Sequence, residues 1–232
     1  MLKKLTGKAL IHTILIITSL LSIFPFIWLT STSLKGLGED IFAYPPHLIP
    51  SDFTWANYVD VWHRVNFMGY FWNSVIVAAL TVILNLVLSS LAAYPLARMS
   101  FRGKKFVFFA ILATIMIPFQ AIMLPVYIIT LKLHLIDSVN NVMGYIGLVM
   151  PFAVSAFGIF LMRQAFIKVP KEVEEAAIVD GCNVFQMFTR VVIPMVKPTL
   201  AVLAVFTFIG SWGEFLWPSI MLTKDAMYTL PV

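Results

Sequence analysis

PKEVEEAAIVDGCNVFQMFTRVVIPMVKP, residues 170–198, is a long polar-containing interruption in a chain that is otherwise largely lipid-soluble. Pro170 fixes φ and carries no N–H, which suits the first position of a helix, and Glu172, Glu174 and Glu175 put negative charge near that helix's positive end. Gly181 supplies a left-handed stop. Between them Val173, Ala176 and Ala177 fall at i, i+3 and i+4, which predicts one narrow, small-sided face open to close approach by another surface.

Outward from this stretch the chain is apolar. With 60% hydrophobic and 12% charged residues and a mean hydropathy of +0.93, its 232 residues read as an all-α integral membrane protein. The net charge of +5 does not indicate nucleic acid, because the basic residues stand at the ends of apolar runs rather than in one patch. A lone cysteine, Cys182, excludes an internal disulfide. The first apolar run is longer than a secretory h-region and no A-x-A site follows, so it is expected to stay as an anchor.

Five spans are predicted in a single transmembrane domain, at about 9–31, 70–97, 106–131, 139–162 and 199–222. Pro25 is expected to kink the first. Residues 32–69, with Pro45, Pro46, Trp55 and Trp62, suit a folded loop at the interface. Pro118 and Pro125 predict a bent, cavity-facing third span, since the carbonyls they free need protein or water. Residues 223–232 are too few and too polar to cross.

Lysine and arginine counts orient the chain. Twelve lie at the N-terminus, in the Arg98–Lys105 turn and in the 163–198 loop, and four (Lys35, Arg64, Lys132, Lys224) on the other side. The N-terminus and the 163–198 loop are therefore expected in the cytoplasm, and the 32–69 loop outside.

The chemistry of an enzyme is missing. There is no G-x-x-x-x-G-K-[ST] to cradle ATP, no H-E-x-x-H, and His12, His47, His63 and His134 are too scattered to suggest a metal cluster. Gly210-Ser211-Trp212-Gly213 is not G-x-S-x-G, so no catalytic residue and no metal site are assigned. Asn85, Gln120 and Ser155 either line a path for a hydroxyl-rich solute or hydrogen-bond between helices. Glu214, roughly 24 Å along a helix starting near Pro198, falls near the outer interface. It reads either as a solvated carboxylate or as a contact to substrate or binding protein, with Trp212 and Trp217 beside it as belt residues.

Glu175-Ala176-Ala177, three residues, Gly181, nine residues, Val191, one residue and Ile193-Pro194 closely resemble the E-A-A…G…I-x-L-P loop of ABC-importer permeases. Asp180, Phe188 and Pro198 match the carbohydrate-uptake branch of that family. FPFIWLTSTSLK (24–35), YFWNSVIVA (70–78), AAYPLAR (92–98), MIPFQ (116–120), SAFGIFLMRQAF (155–166) and GSWGEFLWP (210–218) look like its segments, in its order. Gly213 departs from the Asn usual there. The family's sixth span is expected after the last residue here, Val232, and is missing from this sequence.

The resemblance implies a type I ABC importer transmembrane bundle. Its coupling helix would dock on a cytoplasmic ATPase through Glu174, Glu175, Ala176, Ala177, Asp180, Gly181 and Cys182. It also implies a second, homologous permease, two copies of the ATPase and an extracytoplasmic solute-binding protein. No cofactor is expected in this chain, with ATP and Mg used by the ATPase. The solute would be a sugar or related hydroxylated molecule, carried by alternating access. A secondary transporter, or a truncated scaffold that only docks the ATPase, are the alternatives; no mid-depth ion-coupling acid or inverted repeat speaks for the first.

Overall fold

The computed structural model describes residues 2–43, 47–136 and 141–232. Pro45, Pro46, Asp137 and Val139, where the fourth span was expected to start, lie outside those residues. The described residues are helical, apart from turns and one isolated antiparallel bridge between Lys35 and Phe53. They form two compact units that divide after Phe67.

In the first unit, α1 (Leu2–Ser33) is unbroken through Pro25. Its apolar stretch buries nothing within the protein. The hydroxyls of Thr18, Ser22 and Thr30 donate back to the carbonyls of Ile14, Thr18 and Phe26, so none is left unpaired on a lipid-compatible surface. The chain then folds over the helix end. Gly36 N–H donates to the Asp52 carbonyl (2.8 Å), and Thr54 N–H to that of Leu34 (2.9 Å). From α2 (Ala56–Arg64), the Asn57 amide donates to the carbonyls of Ser33 and Lys35. Lys35 is buried, 3.4 Å from Glu39 and over the ring of Trp28. Burial alone would raise the Glu39 pKa, but hydrogen bonds from the Ser51 and Asp52 backbone, the Ser51 hydroxyl and Lys35 bring it below the ordinary 4.5.

The second unit is built on α3 (Phe67–Arg98), whose 32 residues span about 48 Å. Its buried stripe passes from Asn73 through Val77, Thr81, Asn85 and Ser89 to Ala93, a largely polar seam along the helix. One core gathers Tyr94, Phe166, Phe188, Met162 and Leu203. Another gathers Val77, Leu148, Trp217 and Met221.

Among the described residues two helices, α1 and α3, are long and apolar enough to cross a membrane, and up to five segments are if each of three bent pairs counts as one span. The bends have local causes. Between α4 (Lys104–Thr114) and α5 (Phe119–Lys132), extended Pro118 breaks the helix and turns the axis by 96°. Between α6 (Asn141–Val149) and α7 (Ala156–Lys168), Pro151 and extended Ser155 give 59°, a bend inside the stretch expected as the fourth span. After α8 (Lys171–Val179), the stretch α9 (Val184–Met195) meets α10 (Lys197–Trp212) at 78°. Residues 187–192 of α9 are π-helical, a widening that accommodates Pro194, which has no N–H to give and whose ring crowds the preceding turn.

The fifth span expected at 199–222 is likewise not one helix. It stops at Trp212, and α11 (Leu216–Met221) starts anew. The final segment is docked on α3: the Asn73 amide donates to the carbonyls of Ala226 and Tyr228, and the Ser74 hydroxyl oxygen accepts from Leu230 N–H.

Candidate functional site

Two regions of the second unit gather the residues singled out by the sequence. The first is the loop at α8. Pro170 stands one position before the helix, as its N-cap. At the other end Gly181 adopts φ +81°, and the backbone closes a complete Schellman motif: Cys182 N–H donates to the Ala177 carbonyl (2.9 Å) and Gly181 N–H to that of Ile178 (3.0 Å). Asn183 begins α9 with a capping box, its side chain accepting from Gln186 N–H while the Gln186 side chain accepts from Asn183 N–H. Every backbone N–H of the turn, from Asp180 to Asn183, is thus hydrogen-bonded.

Residues 170–198 are anchored by the end of α3. Arg98 donates to the carbonyl of Val169 and forms an ion pair of 2.8 Å with Glu174, in the first turn of α8. The Tyr94 ring packs edge-on to Phe166 and against Phe188, and its hydroxyl reaches the Met187 sulfur. Ala177 is buried in this cluster.

The face expected from Val173, Ala176 and Ala177 divides. Ala177 is buried and Val173 half-buried, whereas Ala176 is exposed with Glu175, Asp180 and Gly181. Glu174 turns inward to Arg98, and Cys182 is half-buried. Sequence reasoning missed the apolar side chains on the outer surface: Ile178, Val179 at 87% exposure, Val184, and Phe185 at 69%. Their signal was present, as large apolar residues flanking the polar turn Asp180-Gly181-Cys182-Asn183. It also missed Arg98, whose partners lie some seventy residues away in sequence.

The second region is a cavity of about 540 Å³ beside the polar seam of α3, at the breaks between α4 and α5, α6 and α7, and α10 and α11. Asn85, Ser155 and Glu214 line it, whereas Gln120 and Trp212 do not. Gln120 is exposed in the first turn of α5. Trp212 stacks on Phe208 and meets Phe71 edge-on.

Asn85 and Ser155 serve one another as well as the wall. The Asn85 amide donates to the Phe152 carbonyl (3.1 Å), and its oxygen accepts from the hydroxyls of Ser89 (3.2 Å) and Ser155 (3.3 Å). Ser155 also caps α7 by accepting from Gly158 N–H. A Cβ on Gly158 would lie 2.7–2.9 Å from the polar atoms of Ser89, Ser155 and Asn85, so glycine there lets α7 approach α3.

Glu214 sits in the break after Trp212, half-buried, its carboxylate accepting from Trp217 N–H (3.1 Å) at the start of α11. The depth expected for it counted a helix from Pro198 through residue 214, and that helix ends two residues short, at Trp212. Trp217 is not a belt residue: it is fully buried, donates its indole N–H to the Gly147 carbonyl (3.2 Å) and packs edge-on to Phe119.

Residues 85–232 match the family described as binding-protein-dependent transport system inner membrane component. The chain is similar to the arabinooligosaccharides transport system permease protein AraQ of Bacillus subtilis, 34% identical over 223 residues that cover 92% of this chain and 75% of that protein. It is also similar to the diacetylchitobiose uptake system permease protein NgcG of Streptomyces coelicolor, at 30% identity over 96% of this chain and 72% of that one. A crystal structure of a bacterial ABC transporter involved in the import of the acidic polysaccharide alginate superposes with a TM-score of 0.81 and 27% identity, covering 97% of this chain and 77% of that chain. A match over that much of the sequence, with relatives at a third identity across nearly all of it, fixes the lineage: the chain belongs to the binding-protein-dependent transport system inner membrane component family.

Proposed function

We propose that this chain is the membrane-spanning subunit of an ATP-driven importer of a sugar or related hydroxylated solute, moved by alternating access through the cavity beside α3. One observation carries the reading: the exposed, capped loop at α8 is tied through Glu174 and Arg98 to the same helix whose polar seam lines the cavity. A displacement of α8 therefore reaches the cavity wall along a single rigid element.

In this reading the N-terminus and the 163–198 loop face the cytoplasm. Glu175, Ala176, Asp180 and Gly181, with Ile178, Val179, Val184 and Phe185 around them, meet an ATPase subunit. Glu174, Ala177 and Cys182 hold the loop's shape. Two ATPase copies, a second permease and an extracytoplasmic solute-binding protein complete the assembly. ATP and Mg belong to the ATPase, and this chain binds no cofactor. The relatives are named for arabinooligosaccharides, diacetylchitobiose and sn-glycerol-3-phosphate, and the solved neighbour for the acidic polysaccharide alginate. Family membership favours ATP-driven over ion-driven uptake.

Cys182, the single cysteine, provides the test. A membrane-impermeant maleimide is applied to inside-out and right-side-out vesicles, with and without the ATPase. Labelling confined to inside-out vesicles and blocked by the ATPase supports the reading. Labelling from the outside overturns the orientation, and labelling indifferent to a bound ATPase overturns the docking.

A further inference from the structure

Among the described residues that line the cavity there is one ionisable side chain, Glu214, and no lysine, arginine or histidine. The rest of the wall is hydroxyl, amide and hydrocarbon, with Phe119, Phe152 and Trp217 supplying ring surface. Its volume of about 540 Å³ is in the range of small-molecule sites, about 300–1,000 Å³. Such a wall can accept hydrogen bonds from sugar hydroxyls and cover the apolar faces of sugar rings. It offers no counter-charge to an anion.

The carboxylate is fixed in place. Its hydrogen bond from Trp217 N–H anchors it at the start of α11, and Trp217 is itself locked by burial and by the Gly147 carbonyl. The hydrogen bond holds Glu214 at the wall, and in a wall this apolar like charges are screened far less than in water. An anionic solute would meet a fixed negative charge; an amine would meet a partner.

We infer that the cavity selects by charge: it passes neutral or cationic hydroxylated solutes and rejects anionic ones such as uronate- or phosphate-bearing sugars, and Glu214 is the discriminating residue. The inference rests on the sugar-import reading and narrows it to uncharged or cationic sugars, setting this chain apart from its glycerol-phosphate relatives and from the alginate importer.

The test uses the complete transporter in lipid nanodiscs without the solute-binding protein, so that only the membrane subunits choose. A panel of linkage-matched pairs, each a neutral disaccharide and its uronate analogue, is titrated while tryptophan fluorescence is followed, together with a disaccharide bearing free amines. The neutral member of the best-bound pair is expected to bind at least tenfold more tightly than its uronate. Glu214→Gln keeps an oxygen for the Trp217 N–H but removes the charge, and is expected to narrow that ratio to threefold or less. A uronate bound as well as its neutral partner, or a ratio unmoved in Glu214→Gln, overturns charge selection and leaves sugar import standing. Failure of every member to bind overturns the sugar reading and this inference with it.

Discussion

Arg98, the last residue of α3, stands 2.8 Å from Glu174 in the first turn of α8, with the two side chains only 10% and 14% exposed. Removing one member of a largely desolvated pair leaves the other uncompensated, at about 3–5 kcal/mol when fully buried, so about 2–3 kcal/mol is expected here. Arg98→Ala should cost more than Glu174→Ala, because it also releases the Val169 carbonyl. Thermal unfolding of the assembled transporter checks the order, and a double-mutant cycle isolates the pair. The same variants should hydrolyse ATP with reduced uptake per ATP.

Gly181 holds φ +81° in open space, nothing lying within 4 Å of where a Cβ would be. The cost of substitution there is backbone strain rather than a clash, about 1–2 kcal/mol for a β-branched residue. Gly181→Val is expected to loosen the turn and lower uptake several-fold while the protein still inserts, whereas Gly181→Asn retains most uptake. Equal uptake by both variants would show that the left-handed turn is dispensable.

At the crossing of α3 and α7, Gly158→Ala should be destabilising by about 1–3 kcal/mol through overpacking. Ser89→Ala in the same chain removes the closest atom and should restore part of that loss. A melting-temperature series of the two single variants and the double variant measures it.

Trp217→Ala removes a fully buried indole and is expected to cost about 3–5 kcal/mol. Trp217→Phe keeps most of the packing but abandons the Gly147 carbonyl, which costs about 1–3 kcal/mol for a buried acceptor left unpaired. Denaturant titration of the two variants separates these contributions.

The pKa of Glu39 is lower in the folded loop than its ordinary 4.5, so its contribution to stability is fully present above that value and is lost as pH falls through the lower folded pKa. The fluorescence of Trp28 and Trp55 should report loosening of the 34–67 loop below about pH 4.5. In Glu39→Gln that acid-dependent step should vanish.

What the sequence disclosed, and what it hid, divides along a physical line. Lipid-solubility is a property of composition, so the apolar stretches could be read from it. Helix continuity is a property of the backbone, and an apolar stretch such as 139–162 looks the same whether or not Pro151 and Ser155 interrupt it. The same confusion placed Glu214 on a helix that had already ended at Trp212. Caps are local, so Gly181 was legible to the residue and Pro170 to within one position. Which side of α8 faces inward is decided by Arg98 and Tyr94, elements distant in sequence, and Ala176 and Ala177 are indistinguishable without them. Trp217 shows the limit for single residues, since a tryptophan near a span end has one composition whether it floats at an interface or fills a core.

The turn between α8 and α9 has four residues, Asp180 to Asn183, and spends its principal hydrogen-bonding groups on its own closure. Stiffness follows. A flexible connector would absorb a push as bending, and the push would arrive late and diminished; here bending requires hydrogen bonds to break. If the outer surface is where the ATPase docks, as proposed, the two helices should move as one knuckle and deliver the work done there inward rather than dissipate it at the joint.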